Sequence, residues 1–503
     1  MTRIEHRGLG GAVLLALDYI YTANDLPVRI YESGSTVGTG ITISTTFVYD
    51  RLRRLKEEQR CRGTTSCDLL YYDLEYWYDA GGNRIQKIDY DNGGVVYYTY
   101  DIAHPSLYGS NNNRLMKAET RDGDGSTVAT TWYYYTAAGN VRWIVSDPPA
   151  GGGVQQQYMM GGGGGGGEGE DPLVEAEVAE GEATEPASLQ TTDGSGGGMS
   201  MLTGGGGGCV GTTKYTATRF EYAKNGQTVT YVLGEEWCWD RNPEHCPDPG
   251  TYKVLWAREF RYDGARARYM NAPLDPVTLA PYNTTQKPTV WSDYDGDEAY
   301  GDFTVSGTGV VTNTDAYQPG LWRKVGTASE YLHSDMLGTL RQTTGSTGTP
   351  GTSRVFTAFG ERLPGSATDR FGYVGAWGYQ DTLDSTNGAE VFPFLHVGAR
   401  YYDPSSGRFL QRDLIGIRGG KNVYQYARGI PTLRIDPLGL SVGLLPGPQK
   451  KPWDPGAPRQ PGPNPRPPPQ PAPPPSPPPP DDDDDSDIPP GWDPFDTASI
   501  AFW

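Results

Sequence analysis

Tyr78-Asp79-Ala80-Gly81-Gly82-Asn83-Arg84-Ile85 decides how this chain folds. Tyr76 and Tyr78 stand two residues apart, the spacing that puts side chains on one face of a strand. Asp79 and the Gly-Asn pair supply a turn with positive φ, and Arg84-Ile85 opens a return strand. Variants of the unit recur at Tyr49-Asp50 with Arg54-Leu55, at Tyr100-Asp101, at Tyr135 with Gly139-Asn140, and at Tyr262-Asp263-Gly264. The pairs Tyr98/Tyr100 and Tyr133/Tyr135 repeat the same one-face spacing. A single hairpin of this kind is marginal in water, so its aromatic face must be buried against neighbouring repeats.

A second informative stretch lies near the C-terminus. Residues 399–440 read ARYYDPSSGRFLQRDLIGIRGGKNVYQYARGIPTLRIDPLGL. Strand-like pieces, tight turns and a closing Asp-Pro-Leu-Gly-Leu follow one another without a helical period. Upstream stand Tyr331-Leu332-His333-Ser334-Asp335-Met336-Leu337-Gly338, Phe356-Thr357-Ala358-Phe359-Gly360-Glu361 and Phe371-Gly372-Tyr373. In this order the segments closely resemble the Rhs-repeat-associated core domain, and the Tyr-Asp units resemble the YD repeats of bacterial Rhs and teneurin-like YD-shell proteins.

The resemblance implies an all-β fold: antiparallel hairpins spiralling into a YD-shell, with the C-terminal core as its cap. Residues 1–150 and 211–330 would form the shell and residues 331–440 the core. Between the shell parts, residues 151–210 combine poly-Gly runs with an acidic Ala/Glu stretch and have no aromatic core, so they read as a disordered insertion. Residues 441–503 are dominated by proline and then by Asp481 to Asp485, and read as a disordered tail. The chain begins inside what reads as a repeat and is expected to be the C-terminal part of a longer protein.

Composition agrees with turns and half-buried aromatic strands. Of 503 residues, 69 are Gly, 42 Pro and 34 Tyr, while only 36% are apolar, which argues against a helical core. The formal charge of −19 disfavours nucleic acid, whose phosphates need a basic face. Arg3 and Arg7 precede the apolar run Gly8 to Leu17, but Asp18 interrupts it and no cleavage site follows, so it reads as a shell strand. Any export signal is expected upstream, and no segment has the length of a membrane span.

Cys61 and Cys67 flank a short loop, as do Cys238 and Cys246, and both spacings allow loop-closing disulfides; Cys209 is left over. A zinc site from Cys238, His245 and Cys246 has poor ligand geometry. Tyr294-Asp295-Gly296-Asp297 lacks the further ligands of a calcium loop and reads as a surface turn. No metal or cofactor is expected.

In relatives such as the C components of Tc toxins, the core cuts its own chain after the Asp-Pro-x-Gly-Leu motif. Carried onto this sequence, cleavage falls between Leu440 and Ser441. The matching polar residues are Arg400, Asp413 and Asp436. Two carboxylates can hydrolyse a peptide, one taking a proton from water while the other polarises the carbonyl. Asp413 is expected to be the general base, or one of an aspartic pair with Asp436, with Arg400 orienting a carboxylate. Asp403 and Arg408 read as turn and strand-pairing residues, and His333 as a histidine bonded to Asp335 across a turn rather than a catalytic one.

Two departures bear on activity. Leu414 replaces the family's usual proline after Asp413, and Arg428-Gly429 replaces Asn-Asn. Losing the proline removes a fixed φ beside Asp413. The expected function is a secreted or cell-surface shell enclosing or presenting its own C-terminal segment as cargo, with at most a single-turnover aspartic-type autoprotease. The rival is an adhesion module whose exposed aromatics stack on a cell-surface glycan or protein, with an inert core.

Overall fold

The computed structural model describes residues 2–8, 10–101, 112–146, 213–239, 252–282, 284, 287–295, 298–305, 309–382, 392–440 and 443–444. The insertion at 151–210, Cys209, His245, Cys246, Gly296, Asp297, Ser441 and the tail beyond 444 lie outside them.

The repeat unit turns by one recurring construction. Asp79 Oδ1 accepts the Asn83 N–H at 2.8 Å, while the Asp79 N–H donates to the Asn83 carbonyl at 2.9 Å. Gly82 alone takes the left-handed conformation, at φ 82°, and the strand register shifts between Trp77 and Tyr78. This corrects the expected roles: glycine carries the positive φ, and Asp and Asn make the hydrogen bonds. Asp50, Thr136, Asp263 and Asp335 close the same loop onto Arg54, Asn140, Ala267 and Thr339. Where glycine is missing, another residue takes the left-handed position: Arg53 at φ 67°, Arg266 at φ 71°, Asp25 at φ 62° and Asn113 at φ 59°.

Among the described residues, 21 strands from Arg3–Arg7 to Leu340–Gly345 form one sheet. Each register is antiparallel, and each strand pairs with the next in sequence, as between Leu69–Tyr78 and Arg84–Asp89. The fold is therefore all-β, built as one long meander of hairpins. Register shifts at many of the hairpins add local twist and bend the ribbon. The strands Val141–Ser146 and Thr213–Tyr222 pair directly, so the long insertion joins two sheet neighbours. The apolar run before Asp18 enters the strand Val13–Tyr21, with Leu14 to Leu17 buried.

Alternation aims one face of the ribbon inward. Tyr76, Tyr98, Tyr100 and Tyr133 are buried, while Trp77 and Tyr97 on the opposite face are exposed. The inward residues pack on the C-terminal segment. Phe47, Leu55 and Tyr76 share a cluster with Phe359, Tyr402, Phe409, Tyr426 and Ile435. Tyr100, Tyr133, Phe220 and Phe260 share another with Phe392, Phe394, Tyr401 and Leu410. Strands so far apart in the meander reach one segment because the sheet curls around it. The ribbon also returns to its start: His6 Nε2 lies 2.9 Å from the Ser334 carbonyl, and its ring meets that of His333 edge-on.

The sheet runs to Gly345, past the boundary drawn at residue 330. Beyond it the chain folds mostly through turns and short strands such as Leu395–Val397, Arg400–Asp403 and Arg408–Phe409. Cys61 and Cys67 form a disulfide across the turn between the strands Leu55–Arg62 and Leu69–Tyr78.

Candidate functional site

Arg400 starts the strand Arg400–Asp403, and its side chain is buried inside the core segment. The guanidinium sits over the Phe409 ring, with Cζ 3.6 Å from the centroid. From that platform it donates in three directions: Nε to the Gly439 carbonyl at 2.6 Å, Nη1 to the Val423 carbonyl at 3.1 Å, and Nη2 to Asp436 Oδ2 at 3.1 Å. Nη2 also stands 3.3 Å from Asp413 Oδ2. One nitrogen thus bridges the two carboxylates singled out from sequence. A planar fork on an aromatic ring fixes such a geometry better than a flexible ammonium would.

Asp436 is 1% exposed, and its second oxygen, Oδ1, accepts the Leu440 N–H at 3.0 Å. Its own N–H donates to the Tyr379 hydroxyl oxygen at 2.8 Å, and that hydroxyl meets Tyr426. The residue before the expected cut is therefore held twice, at its amide by Asp436 and at the preceding carbonyl by Arg400.

Asp413 comes from a turn. Its N–H donates to Val423, Gly416 closes back on its carbonyl, and Oδ1 accepts the Ile415 N–H at 3.0 Å. Burial pushes its carboxyl above the usual carboxylate range and the Asp436 charge adds to this, while Arg400 and the Ile415 N–H oppose it. Leu414, in place of proline, leaves the carboxylate within reach of Arg400, because the turn is fixed by these hydrogen bonds. Gly419 shows what Asp413 faces. A Cβ there would collide with Asp413 Oδ2 and come 3.0 Å from the Leu440 carbonyl oxygen, so carboxylate and carbonyl flank the same backbone.

The closing motif needs its glycine. Gly439 has φ 61°, and a Cβ on it would strike the Val397 carbonyl. Leu438 then accepts the Ala399 N–H at 3.0 Å, which lays the motif along the strand start at Arg400. At Ala427-Arg428 two non-glycine residues are left-handed, φ 48° and 53°. Asparagine tolerates that region better than arginine does.

All three polar residues expected at the site meet there, with Leu440 beside them; Ser441 is outside the described residues. Asp403 and Arg408 do pair across their strands, and Asp403 accepts from Ser405 and Ser406. His333 is different from expectation. Its Nε2 lies 2.9 Å from Thr344 Oγ1, while the Asp335 carboxylate accepts the Leu337 and Thr339 amides. Next-strand pairing puts Thr344 nearer than the turn carboxylate, and burial lowers His333 to about 4. Phe409, Tyr379 and Gly419 were not singled out from sequence. Phe409 and Gly419 lie inside the quoted motifs, but their roles are visible only when the chain closes on itself.

No known protein-family model matches this chain. Among curated proteins it is 34% identical over 119 residues to double-stranded DNA deaminase toxin A of Burkholderia cenocepacia, covering 24% of this chain and 8% of that protein. It is 48% identical over 46 residues to toxin protein Tse5 of Pseudomonas aeruginosa, covering 9% of this chain and 4% of the relative. It is also 50% identical over 42 residues to the probable deoxyribonuclease RhsB of Dickeya dadantii, covering 8% of this chain and 3% of that protein. The chain thus spans a small part of each of these relatives, which are Rhs and toxin proteins. Among solved structures it is similar to the TcdB2-TccC3-TEV crystal structure, with TM-score 0.36 and 15% identity, covering 87% of this chain and 20% of that one.

Proposed function

We propose that this chain is the shell-and-core part of an Rhs-type protein that encloses a C-terminal segment, and that its core severs the chain once, after Leu440. The observation that carries this reading is the clamp around Leu440: Asp436 on its amide, Arg400 on the preceding carbonyl, and Asp413 against the same glycine as the scissile carbonyl. In the proposed step, water adds to the Leu440 carbonyl carbon and gives a proton to Asp413. The Leu440–Ser441 bond then breaks, and the Ser441 amine takes that proton. Arg400 stabilises the paired carboxylates, and Asp436 orients the peptide.

The Cys61–Cys67 disulfide supports an oxidising location, secreted or on the cell surface. No described helix is long and apolar enough to cross a membrane, which says nothing about strand-built spans. A second reading, adhesion to a glycan or protein, is favoured by exposed Trp77, Tyr90 and Tyr97 on the outer face.

Intact mass of the purified protein tests the cleavage. The wild-type chain should yield a piece ending at Leu440, and Asp413→Asn should remain whole. Equal cleavage in both would assign it to an outside protease and remove the core's role.

A further inference from the structure

At seven of the repeat turns an inward residue stands directly after the carbonyl that closes the loop. Leu55, Leu115, Val141, Val229 and Leu340 fill this position, all buried. At Arg84 and Arg268 the same position holds a buried arginine instead. Arg268 satisfies its guanidinium with Tyr401, Thr382 and Gln380. Arg84 does not. Its Nη1 donates to the Ser405 carbonyl at 3.0 Å and the Tyr98 hydroxyl lies beside the guanidinium, but Nε and Nη2 are buried without a hydrogen bond of good geometry. Tyr76 and Phe359 flank the guanidinium, at 4.5 and 4.1 Å from Cζ to the ring centroids.

Arg84 borders a cavity of about 20 Å³. Arg84, Asn83, Ser406, Arg408, Asn422 and Gln425 supply its polar lining. Among the described residues neither Arg84 nor Arg408 forms an ion pair. Glu361, whose charge reaches Arg84, is taken up by Lys87 Nζ at 2.6 and 2.7 Å, and Asp403 accepts from Ser405 and Ser406. A buried cation without a counter-charge is expensive, and water would satisfy its N–H groups but not its charge. The volume is that of one water-sized particle, not of a polyatomic ligand.

We propose that this cavity binds a single monatomic anion of the chloride class, held by Arg84 and facing Arg408, at the seam between shell hairpin and core. The anion supplies the counter-charge that carboxylates supply elsewhere. It ties the strand Arg84–Asp89 to the core turn at Ser405–Arg408.

The test uses the full chain at constant ionic strength, exchanging sodium gluconate, too large for the cavity, for sodium chloride or bromide. Thermal unfolding should shift upward by on the order of 2 °C and saturate. Arg84→Leu, which installs the residue other repeats use at this position, should remove the shift. Crystals grown in bromide should show an anomalous peak within hydrogen-bond reach of Arg84 Nε and Nη2. If Arg84→Leu fails to fold, Arg84→Lys should fold and weaken the halide shift at least tenfold in midpoint concentration. A halide response unchanged in these variants, or water without an anomalous peak beside Arg84, overturns the proposal.

Discussion

Two buried arginines in this molecule have opposite surroundings. Arg400 lies on Phe409 and reaches two carboxylates and two carbonyls, all within 3.3 Å. Arg84 also stacks on aromatic rings, but it donates to one carbonyl and borders a cavity. The Arg400 partners come from three separated motifs, so a buried charge there locks distant parts of the core into one arrangement. Arg84 stands where neighbouring repeats carry leucine, and no carboxylate among the described residues pairs with its guanidinium. One buried charge is matched by carboxylates from within the chain, and the other is matched by none of the described residues.

Substitution should separate the two most sharply. Arg400→Leu strands Asp413 and Asp436 as buried carboxylates, which costs about 3–5 kcal/mol in unfolding free energy and abolishes cleavage. Arg84→Leu strands no carboxylate and should stay within about 1 kcal/mol of wild type in gluconate. Urea unfolding measures both. Equal costs would mean that the Arg400 carboxylates contribute no more than packing does.

The shell interior makes a related contrast through pH. Glu58 accepts Tyr76 Oη at 2.6 Å and the Ala358 N–H at 2.8 Å, and burial raises it from 4.5 to about 7. The folded state keeps a proton there that the unfolded chain releases between pH 4.5 and 7. Stability from Glu58 is therefore full below pH 4.5 and is lost as pH rises to 7, by about 3 kcal/mol at most. His333 acts oppositely. Lowered from 6.5 to about 4, chiefly by burial, it favours the folded state above pH 6.5 and withdraws that support as pH falls to 4. The two should nearly cancel in the wild type. Glu58→Gln should expose the histidine loss as a steeper decline on acidification, followed by unfolding at pH 5 and 7.5.

Asp436→Asn keeps the shape at Leu440 but removes the charge facing Arg400. Self-cleavage should slow at least tenfold, about 1.4 kcal/mol of barrier, as read from the time course of the intact mass. The smallest effect belongs to the turns. Arg266 holds φ 71° at an exposed position where other repeats use glycine, so Arg266→Gly should stabilise by up to about 1 kcal/mol.

Much of this was legible because the hairpin period is local. Tyr76/Tyr78 and Tyr98/Tyr100 announced an inward face, and the turn motif placed each reversal. What was not legible depended on contacts between distant segments. The Asp79 carboxylate proved to be an acceptor, which spacing alone does not distinguish from positive φ. His333 paired with Thr344 because the next strand lies closer than the turn. Arg400, Asp413 and Asp436 were found through motifs, but Phe409 under the guanidinium and Gly419 between Asp413 and Leu440 required the closed core.

The most direct measurement is refolding of the wild-type chain from denaturant, followed by mass spectrometry across a hundredfold range of protein concentration. A fragment beginning at Ser441 should appear as the core forms, at a rate independent of concentration, and should be absent with Asp413→Asn. A wild-type chain that refolds and stays whole would contradict self-cleavage and leave Arg400, Asp413 and Asp436 as a structural lock.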